Sequence, residues 1–453
     1  MKKIALITAP CWSVFTPPLG ISYLSAALKM AGYDARCFDL NVSLFDSLKG
    51  GPRDHWDFCN HADWCGQRFE TELLPRVRPF LDEGVERIRR YAPDMAGFSI
   101  FYTNIECSLF IASRLKEVMP GIKIVFGGPE CYRDLTENRF LARSLIDALV
   151  IGEGEAAVRE LAGRLSDGKD FSGIPGTLVR GGQFIPRPDI ADLNSLAYPD
   201  FSDFDLNLYR FKALPLMSSR GCVAKCSFCG EVRHWKTFRY RRAENIFGEL
   251  VRGSRDHGCR DFFFNDSLIN GNVRELSRLA DMIHESGMRI SWGGYARVNP
   301  QMDLDFFRRL KRAGCTYLSF GIESGSQKVL RDMKKNIRLA DARKNLRDAR
   351  AAGLQTHVNW IVGFPTESCF DFLLSLWFVF RNRAVISHFN PGQVPCGILP
   401  GSDLATHPQE YGISPRSFLN EWRTGFFAST IITRRARLWI FRRLLRILNI
   451  SFT

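Results

Sequence analysis

The chain has no run of about 18 apolar residues, so no segment is expected to cross a bilayer as a helix. No internal repeat is visible, which argues against a solenoid or a propeller. Zinc-finger spacing is missing, as is any interleaved aromatic and basic platform, so no nucleic-acid partner is expected despite a net charge of +14. A secretory leader is not expected either. The apolar stretch Ile4–Thr8 is about five residues long against the roughly 7–15 of a leader core, and Pro10 and Cys11 follow it. That stretch reads as a first β-strand, and the protein as cytoplasmic. The 13 cysteines are odd in number and scattered, the pattern of reduced thiols rather than of a disulfide framework. Cys11, Cys37, Cys59, Cys65, Cys107, Cys259, Cys315, Cys369 and Cys396 read as packing residues.

What is present is an ordinary globular composition, 45% apolar and 24% charged over 453 residues, long enough for two or three domains. Over residues 1–165 short apolar runs alternate with helical patterns. Strands are expected at Ile4–Thr8, Asp34–Phe38, Met95–Phe101, Lys123–Phe126 and Ala148–Ile151, with helices at Ile21–Met30, Leu74–Tyr91, Ser108–Val118 and Ala156–Leu165. Such alternation implies a parallel sheet covered on both faces, an α/β doubly wound (Rossmann-like) domain, with ligands at the carboxyl ends of the strands. Those ends carry Thr8, Ser99, Gly127-Gly128-Pro129-Glu130 and Gly152-Glu153-Gly-Glu155. Residues 42–70, rich in Trp, Asp and His, read as an insertion.

Residues 166–210 are rich in Gly, Pro and Asp and read as a linker, with a hairpin expected at Thr177–Arg180 and Gln183–Arg187. A second βα alternation begins at Ala213–Ser218 and continues with strands at Asp261–Asn265, Arg289–Trp292, Tyr317–Phe320, Gln355–Val362 and His388–Val394. Six such units over 211–400 suggest a partial (β/α)6 barrel, with its chemistry at the strand C-termini. Residues 401–453 form a carboxyl-terminal extension. Within it Ile440, Phe441, Leu444, Ile447 and Leu448 are expected on one helical face and Arg435, Arg442, Arg443 and Arg446 on the other. Such a helix docks on the barrel or lies in an anionic membrane surface.

Directly after the first strand of the second alternation comes Ser218-Ser-Arg-Gly-Cys222-Val-Ala-Lys-Cys226-Ser-Phe-Cys229-Gly230-Glu231. Three thiols on so short a loop converge only if the loop wraps an object, an iron–sulfur cluster or a zinc ion. A cubane held by three cysteines keeps one iron open to a substrate group. A zinc-stapled, membrane-associated binding protein is the alternative outside enzymes.

The C-x3-C-x2-C segment resembles the radical S-adenosylmethionine (SAM) superfamily. The resemblance implies a 4Fe-4S cluster on Cys222, Cys226 and Cys229, with SAM's amino and carboxylate groups on the open iron. It implies reductive cleavage of SAM to a 5′-deoxyadenosyl radical, fed by an electron donor such as flavodoxin or ferredoxin. By the same resemblance Gly230 and Glu231 hold the SAM amino group, and Arg297 meets its carboxylate. Glu323 and Ser324, in Gly321-Ile-Glu-Ser-Gly325, contact the ribose, and Val362, in Ile361-Val-Gly-Phe-Pro365, flanks the adenine. Asn265-Asp266 ends a strand where polar residues often face the pocket.

Residues 1–165 resemble the cobalamin-binding domain that precedes many such barrels, through Pro17-Pro-Leu-Gly20, Gly97-Phe-Ser99, Gly127-Gly128-Pro129-Glu130 and Gly152-Glu153-Gly-Glu155. The Asp-x-His-x-x-Gly loop whose histidine ligates cobalt is absent, and His55 and His61 lie far downstream in the insertion. Cobalamin held without protein histidine is therefore the expectation, with a domain that binds no corrin as the alternative. The whole resembles cobalamin-dependent (class B) radical SAM methyltransferases. That implies methyl transfer to an unactivated carbon of a small-molecule or lipid-like substrate, or else cyclisation or oxidation without methyl transfer.

Overall fold

Near-continuous apolar runs such as Ile4-Ala-Leu-Ile7 can be buried on both faces only in a parallel sheet, and that is where a computed structural model of the chain places them. The structure describes residues 1–49, 53–132, 137–414, 422–424 and 429–452. The side chains of residues 58, 59, 137, 138, 232 and 233 lie outside it, and with them the reading of Cys59. The chain divides into two units, Met1–Pro215 and Leu216–Thr453.

In the first unit, strands β1 (Lys3–Thr8), β2 (Asp34–Asp39), β3 (Met95–Ser99), β4 (Lys123–Gly127), β5 (Ala148–Val150) and β6 (Thr177–Leu178) form a sheet of order β2-β1-β3-β4-β5-β6. The first five run parallel and β6 is antiparallel to β5. The order reverses between β1 and β3, the switch point at which doubly wound sheets take ligands. Helices Leu19–Met30, Leu74–Tyr91, Ile105–Val118 and Gly154–Ser166 cover it.

The chain turns at Val179–Gly182 and the Gly176 amide donates to Ile185 O at 2.7 Å, but the returning arm expected at 183–187 forms no strand. Thr177 and Leu178 instead pair with Val150 and Leu149, extending the sheet by one edge strand. Val150 and Leu149 already offered an open ladder edge, and an edge left unpaired is unfavourable. Residues 166–210 belong to this unit and are tied down. Asp200 takes Lys29 Nζ at 2.5 Å, Asp203 accepts the Cys37 amide at 2.9 Å, and the Arg210 amide reaches Val14 O at 2.9 Å.

The second unit holds β7 (Ala213–Leu216, in which the boundary falls), β8 (Ser219–Arg220), β9 (Arg239–Tyr240), β10 (Asp261–Phe264), β11 (Ser291–Ala296), β12 (Cys315–Glu323), β13 (Gln355–Trp360), β14 (His388–Asn390) and β15 (Ser451–Phe452). Seven of them make one sheet of order β15-β14-β13-β12-β11-β10-β7. The expected six βα strands are all there, with β15 from the extreme carboxyl terminus added beside β14. Along β13, Thr356, Val358 and Trp360 are buried against the outer helices. By strand alternation His357 and Asn359 face the inner side.

The carboxyl-terminal helix Ile431–Ile447 docks on this unit, but by a different face from the one its sequence suggests. Arg434, Arg437, Leu438, Phe441 and Leu445 are buried, whereas Ile440 and Ile447 are exposed. The inner arginines are compensated. Arg434 stacks on the Trp422 ring at 3.7 Å and donates to Trp422 O at 2.8 Å, and Arg437 pairs with Glu367 at 3.0 Å. Among the described residues no helix is long and apolar enough to cross a membrane.

Candidate active site

The loop bearing the three cysteines hangs from a small clasp. Ser219 and Arg220 of β8 pair antiparallel with Tyr240 and Arg239 of β9, closing residues 221–238 into a noose. At its neck Gly221 has φ +82°, and a β-carbon there would stand 2.6 Å from Thr237 O, so only glycine fits. Asp266, just past β10, braces the entry. Its carboxylate accepts from the Ser218 amide, the Ser218 hydroxyl and the Ser219 hydroxyl at 2.6–3.1 Å. Burial pushes its carboxyl up to about 6, with these hydrogen bonds acting against the shift. The side chain expected to face the pocket therefore holds up the cysteine loop instead.

The loop's far side is pinned through Ser227, buried at its centre. The Ser227 amide donates to Met333 O at 3.0 Å, its hydroxyl reaches Asp332 O at 3.3 Å, and its carbonyl accepts the Leu404 amide at 2.9 Å. Asp403 in turn takes Lys334 Nζ at 2.6 Å and the Tyr411 hydroxyl at 2.5 Å. The start of the carboxyl-terminal extension is thus part of the scaffold.

Cys226 is buried, and Cys222 and Cys229 are half-buried. Burial raises the Cys222 thiol, with the Ala224 amide opposing, Cys226 adding to the rise, and Arg297 and Lys335 lowering it. Burial also pushes Cys229 up to about 11, against the Glu231 amide, and Glu231 and both other cysteines add to the rise. Cys222 and Cys229, whose charged forms are disfavoured by burial and by neighbouring thiols, stand with Cys226 on a loop suited to a cationic iron–sulfur core. Among the described residues no three His, Cys, Asp or Glu side chains are placed to hold one metal ion. A cubane asks less convergence, since each thiolate meets a different iron. The donor set fits such a cluster.

Around the loop the strand ends carry the other expected residues. A β-carbon at Gly230 would lie 3.8 Å from the Leu399 side chain, in ordinary contact, and the Glu231 carboxylate accepts the Ser267 hydroxyl at 2.6 Å. Arg297 is held by Asn270 through both its amide (2.8 Å) and its carbonyl (2.6 Å), and its guanidinium donates to Lys335 O. Glu323 ends β12 at a register shift against β13, with φ +74°, a strained conformation for a non-glycine residue. Its carboxylate folds back over Gly321, where a β-carbon would lie 2.7 Å from Oε1, and takes Lys335 Nζ at 3.0 Å. Lys335 Nζ also lies 5.7 Å from the Phe228 ring, so this buried lysine links the cysteine loop to Glu323. No motif marks Lys335, and the sequence reading missed it.

Two expected contacts sit differently. Ser324 is fully buried and turned toward Ser375, its hydroxyl 3.4 Å from the Ser375 hydroxyl, with the tight loop of Gly325 behind it. Val362 is buried, and its carbonyl accepts the Cys396 amide at 2.9 Å. Cys396 itself is buried as a packing residue, whereas Cys369 is exposed at a helix start. On the inner side of the sheet the Tyr317 and His357 rings stack at 4.8 Å and His388 lies beside His357. Burial takes His357 down to about 4, which leaves it neutral near pH 7.

In the first unit the switch point is lined by aromatic surface. Trp12, after β1, stacks on Phe101, after β3, at 3.5 Å, and Trp12 and Tyr102 are exposed. Asn41 fixes this loop, accepting the Trp12 amide at 2.9 Å and the Trp56 indole N–H at 2.8 Å. The insertion has a packing role here: its Trp56 and Trp64 are buried and 4.9 Å apart. His55 pairs with Asp63 at 2.9 Å and His61 approaches Trp56 O at 3.2 Å.

Gly128 has φ +105°, and a β-carbon there would meet the Ile100 amide at 2.8 Å, beside the Ser99 hydroxyl. Gly128 and Pro129 are exposed beyond Gly127, and Gly152 faces open space. Glu153 is turned away, accepting the Ile190 amide. Flat apolar rings and side-chain-free backbone at a switch point suit a planar macrocycle and its tail. The residues present fit a corrin. Trp12 and Tyr102 were not singled out from sequence, although exposed aromatics directly after two switch-point strands are the available signal.

The Radical SAM superfamily model matches residues 216–373, and the B12 binding domain model matches residues 65–162. Residues 216–373 form a radical SAM domain. The first unit carries a B12-binding domain. With the family comes a 4Fe-4S cluster and SAM, and with the first domain cobalamin. The zinc-stapled alternative falls away.

Among similar proteins is an "Uncharacterized methyltransferase" of Pyrococcus horikoshii, 27% identical over 62% of this chain and 62% of its own length. The anaerobic magnesium-protoporphyrin IX monomethyl ester cyclase of Cereibacter sphaeroides is 25% identical over 78% of this chain and 54% of its own. The chain thus spans less than two thirds of these relatives. Among solved structures, the radical SAM methyltransferase TsrM from Kitasatospora setae, with cobalamin and a 4Fe-4S cluster bound, superposes with a TM-score of 0.65. That match has 17% identity and covers 92% of this chain and 76% of that one. At that identity the likeness establishes the fold.

Proposed function

We propose that this radical SAM enzyme transfers a methyl group, through cobalamin, to an unactivated carbon of a small-molecule or lipid-like substrate. The observation that carries the reading is the pairing in one chain of a three-cysteine noose at a barrel's strand ends with an aromatic-lined B12-type switch point. When bound, the cluster and SAM supply hydrogen abstraction from an unreactive carbon, and the corrin supplies the methyl group.

The chain's own residues then have these tasks. Cys222, Cys226 and Cys229 hold the cluster, and Asp266 and Ser227 keep their loop in place. The backbone at Gly230 and Glu231 receives the SAM amino group, Arg297 its carboxylate, Glu323 its ribose, and the strand end at Val362 its adenine. Lys335 neutralises Glu323 and fixes its direction. Ser99, Gly127, Gly128, Pro129 and the Gly152 backbone, with Trp12, seat the corrin. A flavodoxin or ferredoxin supplies the electron in the reducing cytoplasm.

Because one relative is named a cyclase, ring formation or oxidation without methyl transfer is the second reading. Anaerobic incubation of the reconstituted enzyme with methyl-deuterated SAM, reductant and a metabolite and lipid extract separates the two. A product carrying the labelled methyl is expected. Formation of 5′-deoxyadenosine with an altered product that lacks the label would replace methyl transfer by the second reading.

A further inference from the structure

The second unit exposes an apolar surface that its own fold leaves uncovered. On the helix Cys369–Asn382, Phe370 is 69% exposed, Leu373 59% and Trp377 53%, with Phe380 following on the same face at 40%. The spacing of 370, 373, 377 and 380 is that of a single helical stripe. The helix is anchored by the opposite side, through Phe372, Ser375, Phe378 and Val379. Four large apolar side chains in a row on the outside of a folded unit are unusual and mark an interaction surface.

The carboxyl-terminal helix Ile431–Ile447 continues this surface. It packs beside the first helix, with Phe441 6.2 Å from Phe372 and Arg437 reaching Cys369 Sγ at 3.5 Å. The crossovers β13–β14 and β14–β15 both join parallel neighbours, so the right-handed crossover rule sets the two helices on one side of the sheet. Its outward residues include Trp439, 62% exposed, and Ile447, 79% exposed.

Charge decides which partner suits this face. No Asp or Glu occurs from Phe372 to Ser402, nor from Trp422 to the last residue. The acid of the first helix, Asp371, is buried on Ser326 and Ser368. Exposed arginines border the aromatics instead: Arg381 lies 5.7 Å from the Trp377 ring, Arg383 4.7 Å from Phe380 and Arg443 5.5 Å from Trp439. Aromatic and aliphatic side chains flanked by guanidinium groups, with no acid among them, match the boundary between acyl chains and anionic headgroups. A protein partner's surface would ordinarily be met by both signs of charge.

We propose that these two helices together seat the protein on an anionic phospholipid bilayer, with the Phe370–Phe380 stripe entering the headgroup layer and the arginines pairing with lipid phosphates. The proposal is independent of which radical reaction the enzyme performs.

The test is co-sedimentation of the full-length reconstituted enzyme with phosphatidylcholine vesicles, with and without phosphatidylglycerol. Binding to the anionic vesicles is expected, weakened by added salt. It should drop about tenfold in the double variant Phe370→Ser with Trp377→Ser, and similarly in Arg381→Glu with Arg443→Glu. Iron content and SAM cleavage should be unchanged in both, which keeps misfolding apart from lost attachment. Absence of binding to anionic vesicles, or equal binding by wild type and both variants, would overturn the proposal. So would sedimentation velocity showing a dimer that Trp377→Ser dissociates, since a second copy would then cover the face.

Discussion

Asp266 accepts the Ser218 amide at 2.9 Å and the Ser218 hydroxyl at 2.7 Å, tying the end of β10 to the strand that leads into the cysteine loop. Replacing it by alanine strands a buried amide and should cost about 1–3 kcal/mol. Asp266→Asn keeps the volume but turns an amide donor toward those donors. Both variants should therefore retain less iron after reconstitution than wild type, which metal analysis per chain reads directly. Iron retention equal to wild type in both would show that the brace is dispensable.

Glu323 and Lys335 are both buried and bonded to each other at 3.0 Å. Lys335→Met leaves the carboxylate without its cation and should destabilise the fold by roughly 3–5 kcal/mol. Glu323→Gln keeps the shape and removes the charge that would take the two ribose hydroxyls. SAM affinity should fall about tenfold, a loss of about 1.4 kcal/mol, measured by equilibrium binding with iron content intact. Unchanged affinity would remove Glu323 from the SAM site.

Gly363 has φ +79°, and its Cα lies where a β-carbon would come within 2.7–2.8 Å of the Arg434 side chain. Gly363→Ala should cost roughly 1–3 kcal/mol for the backbone conformation alone. It should also loosen the carboxyl-terminal helix. Limited proteolysis should then cut near residue 430 sooner than in wild type, and an unchanged cleavage pattern would count against this docking.

Burial pushes Glu367 up to about 7 even beside Arg437. Between its ordinary 4.5 and about 7 the folded chain holds a proton that the unfolded chain has released. Its stabilising share is whole below pH 4.5 and is lost as the pH climbs through 7. The difference in melting temperature between wild type and Glu367→Gln should therefore shift against wild type from pH 5 to pH 8. A difference constant over that range would refute the burial effect.

The parallel sheets were legible because their strands are apolar and separated by helical patterns at regular spacing. The cysteine loop was legible because three thiols so close in sequence have few other uses. Long-range partners were not. Lys335 follows a short helix and carries no motif, and its link to Glu323 exists only once β12 bends at its register shift. Periodicity in the carboxyl-terminal helix sets arginines outside. The fold sets Arg434 and Arg437 inside, where Trp422 and Glu367 compensate them, and that frees Ile440 and Ile447 to face outward. Thr177–Leu178 looked like half a hairpin because local turn signals do not show that a distant strand edge is open.

The measurement closest to the central claim is the iron and corrin content of the anaerobically purified protein, reconstituted with iron and sulfide and offered hydroxocobalamin, for wild type and Cys226→Ala. About four irons per chain with stoichiometric corrin are expected in wild type, with a brown chromophore. Cys226→Ala should lose the iron and keep the corrin, because the two sites are built on separate sheets. Wild type that binds zinc and no iron, or iron retained in the variant, would contradict the account.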